Sequence, residues 1–136
     1  MTTRQRCTYG GGFLRRGCGR AAVTDCVYCA RPFCLEHGER GADYMDVCAR
    51  KNCQHKKVDL DEHTEWKARV ELSNRVSVCA DESCEERMRH ECSRCRLFFC
   101  AEHVREMRVR DTSRHPPVEV RGLVCPHCAE RRKIWG

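Results

Sequence analysis

The sequence predicts a small α+β protein: two compact modules in tandem, joined by a helix and held by bound metal rather than by a large apolar core. Three observations predict it. The chain has 14 cysteines in 136 residues. It writes one pattern twice, Cys26-Val27-Tyr28-Cys29-Ala30-Arg31-Pro32-Phe33-Cys34-Leu35-Glu36-His37 and Cys92-Ser93-Arg94-Cys95-Arg96-Leu97-Phe98-Phe99-Cys100-Ala101-Glu102-His103. Between the copies, His55 to Ser77 holds no cysteine and has helical periodicity.

Both copies read C-x2-C-x4-C-x2-H, with Phe before the third Cys and Glu before the His. Cys7, Cys18 and the pair Cys48/Cys53 extend the first copy. Cys79, Cys84 and the pair Cys125/Cys128 extend the second. Each half then holds eight ligands, enough for two tetrahedral sites, so the whole chain is expected to bind four Zn²⁺. Modules of this size rarely bury enough apolar surface to fold without a staple.

In chain order, Thr2–Cys7 is expected to enter a strand, and Gly10–Gly12 to turn into Phe13–Arg16, a hairpin presenting Cys7 and Cys18 from its two arms. Ala22–Tyr28 suits a short strand running into the Cys26/Cys29 knuckle. Leu35–Arg40 reads as one helical turn, Tyr44–Val47 as a short strand and Ala49–Cys53 as a turn or short helix. These complete a first module at residues 1–57. A linker helix over 58–74 is capped by Asp59 or Asp61 and runs through Leu72, with Leu60, Trp66 and Val70 on roughly one face. Trp66 is expected to dock on one of the modules, and Ser73-Asn74 to end the helix. The second module, 75–136, opens on a strand at Arg75–Val78. It then makes a strand pair, Val104–Arg110 and Val118–Val124, around a turn stiffened by Pro116-Pro117. A basic helix at Ala129–Trp135 closes it.

Cysteines at this density mean disulfides in a secreted chain or metal in a reducing compartment. The paired C-x2-C spacings favour metal, and Met1–Arg6 is polar, so no signal peptide is expected and the protein is read as intracellular and cytoplasmic, or nuclear in a eukaryote. No apolar run reaches the roughly 18 residues a membrane span needs, and no membrane partner is expected. The formal net charge of +6 falls to near zero once fourteen thiolates and four Zn²⁺ are included. Any affinity for nucleic acid therefore has to come from a local patch.

Metal pairing has two readings. An interleaved arrangement groups Cys7, Cys18, Cys34 and His37 on one ion and Cys26, Cys29, Cys48 and Cys53 on the next. The second half repeats it with Cys79, Cys84, Cys100 and His103, then Cys92, Cys95, Cys125 and Cys128. A sequential arrangement groups the first four and last four ligands of each half instead. Interleaving is preferred because it ties both ends of a poor core to its middle.

The run C-x7-C-x2-C-x4-C-x2-H, from Cys18 to His37 and again from Cys84 to His103, resembles the B-box zinc finger. It is similar also to the wider set of RING-like and MYND-like two-zinc modules, and two units joined by a helix resemble the paired B-boxes of tripartite-motif proteins. The resemblance covers most of both halves. It implies an interleaved two-zinc fold that serves protein–protein association, with some members assisting ubiquitin ligation. The chain departs from the B-box pattern by closing with Cys48/Cys53 and Cys125/Cys128 where histidines are usual, and by spacing its opening ligands more widely. The RING order, with its central Cys-x-His, is not reproduced.

Four protein ligands per ion leave no open position for substrate, so the zinc is read as structural and the protein as not an enzyme. Cys125-Pro126-His127-Cys128 superficially matches a deaminase knuckle but lacks the H-x-E partner. Phe33 and Phe99 are expected in small cores. His55, His63, His90, His115 and His127 are expected on the surface, with His55 the one placed to substitute for a cysteine ligand. Basic clusters at Arg15/Arg16/Arg20, Arg50/Lys51/Lys56/Lys57, Arg105/Arg108/Arg110/Arg114 and Arg131/Arg132/Lys133 are read as solvated faces or as phosphate contacts. The expected function is that of a non-enzymatic adaptor acting through protein–protein interaction. The alternatives are a nucleic-acid-binding zinc finger and a ubiquitin-type ligase or its accessory. Nothing in the sequence names the partner or the oligomeric state.

Overall fold

The computed structural model describes residues 5–135. The chain divides after Leu60 into two compact units. Each is a set of short antiparallel strand pairs with helical segments, consistent with a small metal-stabilised α+β fold.

The two copies of the cysteine pattern build the same object. In the first unit β1 (Thr24–Asp25) pairs with β2 (Pro32–Phe33), Thr24 opposite Phe33. The turn they enclose closes with the Ala30 amide donating to the Cys26 carbonyl at 2.8 Å and the Cys26 amide to the Arg31 carbonyl at 2.9 Å. Ala30 stands at φ 59, a left-handed conformation that L-residues adopt at a cost. The second unit repeats this with β5 (His90–Glu91) and β6 (Phe98–Phe99), its turn closed from Arg96 to Cys92 and from Cys92 to Leu97, and Arg96 at φ 65. Phe33 and Phe99 are buried beneath these turns.

The Cys7 and Cys18 segments form the arms of the expected hairpin: Cys7 donates to the Arg20 carbonyl at 2.8 Å and Cys18 to the Tyr9 carbonyl at 3.0 Å. The part of the first arm at Thr2–Arg4 lies outside the described residues. The helical turn expected at Leu35–Arg40 is replaced by β3 (Gly38–Glu39), which pairs with β4 (Val47–Cys48). Glycine at position 38 makes this close pass workable. A Cβ there would clash with the Phe33 ring and lie 2.7 Å from the Val47 carbonyl oxygen, which no side chain tolerates.

Helix α1 spans Lys51–Arg75, eight residues before the expected Asp59 start. The turn read at Ala49–Cys53 and the linker helix are one element, because no Pro or Gly interrupts the run. It ends where Ser77 turns to φ 64 and the Val78 amide reaches back to the Ser73 carbonyl. The strand expected at Arg75–Val78 reduces to a single bridge, Val78 to Arg87. Asn74 supplies what a strand would have, accepting from the Phe98 amide at 2.8 Å and donating to the Phe98 carbonyl at 2.9 Å.

The expected strand pair of the second unit is β7 (Arg105–Asp111) against β8 (Val118–Val124), with Val109 opposite Val120. Helix α2 (Pro126–Trp135) begins directly after Cys125, where a proline at the first helical position loses no bonded amide. The unit's core gathers Phe99, Leu97, Val124 and Val70 around its cysteines. The first unit's core is poorer, with Phe33 and Val47 as the only buried residues of its cluster besides cysteine. Among the described residues no helix is long and apolar enough to cross a membrane.

Candidate metal centres

The structure brings the sixteen ligand candidates together in four groups, each with its donor atoms within 4.8 Å of one another. Cys7 and Cys18 come from the hairpin arms and meet Cys34 and His37 from the turn after β2. Cys26 and Cys29 of the first knuckle meet Cys48 of β4 and Cys53 in the first turn of α1. The second unit groups Cys79, Cys84, Cys100 and His103, and separately Cys92, Cys95, Cys125 and Cys128. These are the groups of the interleaved arrangement. His55 is exposed and belongs to none of them.

The spacing within the groups tests whether an ion fits. Zinc–sulfur bonds of about 2.3 Å in a tetrahedron set sulfur–sulfur edges of about 3.8 Å. Cys18–Cys34 and Cys95–Cys125 are 3.9 Å apart, and Cys29–Cys48 and Cys84–Cys100 are 3.8 Å apart, Sγ to Sγ. A disulfide would need about 2.05 Å, and all 14 cysteines are free thiols. Both histidines present Nδ1 to the sulfurs, His37 at 3.7 Å from Cys7 and His103 at 3.7 Å from Cys79. Each of the four clusters could therefore hold one metal ion, and donor type and spacing are consistent with zinc.

Electrostatics give the same indication. Three or four thiols in one small volume cannot all ionise unaided, so they divide into stronger and weaker acids. Burial raises Cys26, but the Cys48, Cys29 and Tyr28 amides outweigh it and pull the thiol down to about 7. Cys34 falls to about 7 against its burial, through the Glu36 amide and the His37 imidazole. Burial pushes Cys79 up to about 11. In the most buried group, hydrogen bonds shared with the other thiols drive Cys92 far down and Cys125 far up. A dication in the centre removes this conflict by letting all four sulfurs ionise together.

Groups around the ligands orient them. The Arg50 guanidinium donates to Cys48 Sγ at 3.5 Å and reaches Cys29 Sγ at 3.9 Å, placing a positive charge against an all-cysteine cluster. Backbone amides of Cys125 and Glu86 donate to Cys92 and Cys84 sulfurs, each at 3.4 Å. Asp81 Oδ2 lies 3.8 Å from His103 Nε2, where a carboxylate helps fix the ring. The Tyr9 ring stacks on His37 at 4.3 Å. Sequence reasoning placed Arg50 only in a basic cluster and singled out neither Asp81 nor Tyr9. The one available signal was position, since Arg50 and Asp81 each stand two residues after a ligand.

Three of the histidines expected on the surface, His63, His90 and His127, are half-buried. His127, inside the last knuckle, stacks on Trp66 at 3.7 Å, and His63 Nδ1 lies 3.0 Å from His127 Nε2. Trp66 thus docks on the second unit, beside the Cys125–Cys128 turn. No family model, curated protein or solved structure matches the chain.

Proposed function

We propose that this protein is a non-enzymatic adaptor whose two units are each built around two structural Zn²⁺, of interleaved B-box-like or RING-like type, and that it acts by binding another protein. One observation carries the reading. Each of the four clusters supplies four protein donors, which closes a tetrahedral ion and leaves no position for water or substrate. Zinc suits the two clusters of three cysteines and one histidine as well as the two all-cysteine ones, whereas iron favours the latter. The sixteen ligands then serve the fold, and function falls to the surfaces the fold displays.

Native mass spectrometry with elemental analysis tests the metal part. Four zincs per chain are expected, and two or fewer would overturn it. Affinity capture with the zinc-loaded protein, followed by reconstitution from the purified partner, tests the adaptor part. Failure of every captured candidate to bind directly would count against it.

A second reading, nucleic-acid binding, is favoured by a cleft of about 710 Å³ in the second unit, bordered by Arg94, Arg96, Arg131 and Trp135. Guanidiniums beside an indole suit a phosphate chain with a stacked base. Three features oppose it: Arg96 is paired with Glu91 at 2.9 Å, the Asp111 carboxylate lines the cleft, and Cys128 in the lining would carry the negative charge of a zinc tetrathiolate. A mobility shift with single-stranded oligonucleotide that weakens with salt would select this reading over the first.

A further inference from the structure

The hairpin between Cys7 and Cys18 does more than deliver two ligands. Its tip is closed by reciprocal backbone bonds between Gly12 and Arg15, at 3.1 and 3.2 Å, which leaves Phe13 and Leu14 as the turn residues. Both side chains stand wholly in solvent, at 102% and 91% exposure. In a unit with so little apolar material to bury, this is a costly place to put two large hydrophobic side chains. Arg15 and Arg16 follow immediately, so their charges lie within about 7 Å of extended chain behind the tip.

At the base of the same hairpin is an open cleft of about 430 Å³ lined by Thr8, glycines 11, 12 and 17, Arg15, Arg31 and Arg50. No carboxylate lines it. Arg50 holds the Thr8 hydroxyl at 3.1 Å, while the Arg15 and Arg31 guanidiniums have no ion-pair partner among the described residues. Some cations of this unit are paired, Arg20 with Glu36, Arg40 with Asp46 and Lys57 with Glu39. Arg16, which follows Arg15 in the hairpin, has no ion-pair partner among the described residues either. Glycine keeps the cleft wall tight: a Cβ at Gly17 would lie 2.8 Å from the Thr8 backbone.

We propose that this hairpin is a docking element for an anionic phospholipid surface. Phe13 and Leu14 enter the boundary between headgroups and acyl chains, and the cleft of Arg15, Arg31 and Arg50 receives a headgroup phosphate. An apolar tip with the unpaired guanidiniums of Arg15 and Arg31 behind it complements an interface that is apolar within and negative at its rim. Nucleic acid fits less well. Leu14 offers no π face to a base, and neither tip side chain has a donor or acceptor for a base edge. The absence of a membrane-spanning run does not bear on such a contact, which needs only the two tip residues. The inference stands apart from the adaptor reading, since it concerns a surface and not the closure of the metal sites.

The test is co-sedimentation of the zinc-loaded protein with phosphatidylcholine vesicles, with and without phosphatidylserine. Binding to the anionic vesicles and little to the neutral ones is expected. Phe13→Ser with Leu14→Ser should weaken that binding by about tenfold or more, as expected for losing two inserted side chains. Arg15→Gln and Arg31→Gln should each weaken it by about fivefold. Both tip residues are fully exposed, and unchanged zinc content verifies that each variant keeps its fold. Inorganic phosphate, followed through the amide resonances of Arg15 and Arg31, and a single-stranded oligonucleotide provide the other arms. Wild-type protein left in the supernatant with anionic vesicles overturns the proposal, whether or not phosphate or oligonucleotide binds. A tip variant that sediments like wild type overturns it as well.

Discussion

At the residue scale, the chain depends on a few side chains whose neighbours let them ionise. Cys95 is buried among three other sulfurs, and serine there is a weaker ligand for a soft site. Cys95→Ser is expected to lower the metal content by one ion per chain while the other three clusters stay filled, as native mass spectrometry can read. Arg50 touches two sulfurs of the Cys26, Cys29, Cys48 and Cys53 cluster and is not itself a ligand. Arg50→Gln should leave the stoichiometry intact but weaken that one ion by about tenfold in chelator competition, the scale on which outer-shell partners act. Equal affinities for wild type and variant would show that the guanidinium only covers the site.

At the element scale, two backbone positions carry the strand–turn geometry. The close pass of β3 under Phe33 leaves no room for a Cβ at Gly38, so Gly38→Ala should destabilise the first unit by about 2 kcal/mol. Ala30 holds the left-handed position of the first knuckle, where glycine is at ease. Ala30→Gly is expected to stabilise the same unit by about 0.5–1 kcal/mol, the relief of the left-handed penalty less the added chain entropy. Chemical denaturation of the zinc-loaded variants reads both, and shifts in the opposite directions would contradict the geometry. Long α1 follows from composition: from Lys51 to Arg75 nothing breaks a helix, so the turn that carries Cys53 continues into it. In the second unit Val70 of α1 is buried and Trp66 packs on His127, anchors that helix propensity does not supply.

At the scale of the whole molecule, four clusters that could each hold a metal ion stand where a larger apolar core would otherwise be needed. Among the described residues the apolar cluster of the first unit holds only Phe33 and Val47 besides cysteine, so an excess of a strong zinc chelator should unfold that unit, and returned zinc should refold it, followed by far-ultraviolet circular dichroism. A fold that survives complete metal removal would contradict this. Acid should act in the same direction. The ligands bind as thiolates and neutral imidazole, so protons compete with the metal, and zinc retention must fall as pH falls. The folded arrangement of amides around them pulls the Cys26 and Cys34 thiols down to about 7, below an ordinary thiol. Their ionised form therefore favours the folded chain above the ordinary thiol range and loses that influence as pH drops through 7.

The sequence by itself determined the sixteen candidate ligands, the duplicated unit and the four-cluster count, because ligand chemistry is local: a thiolate needs a cation, and C-x2-C places two sulfurs on one turn. The repeat also carried the knuckles and the two buried phenylalanines, while the alternation within Val104–Arg110 and Val118–Val124 carried the β7–β8 pair. Tertiary structure decided which distant ligands share a cluster, since the interleaved and sequential groupings use the same residues and differ only in how the chain closes on itself. It also decided that Leu35–Arg40 does not turn as a helix, because Gly38–Glu39 pairs with Val47–Cys48, a segment outside that stretch that overlaps the expected Tyr44–Val47 strand at Val47. The roles of Arg50, Asp81 and the exposed Phe13-Leu14 tip were set at the same level. Charge and hydropathy are properties of single residues, but what a side chain faces is fixed only once remote segments are brought together.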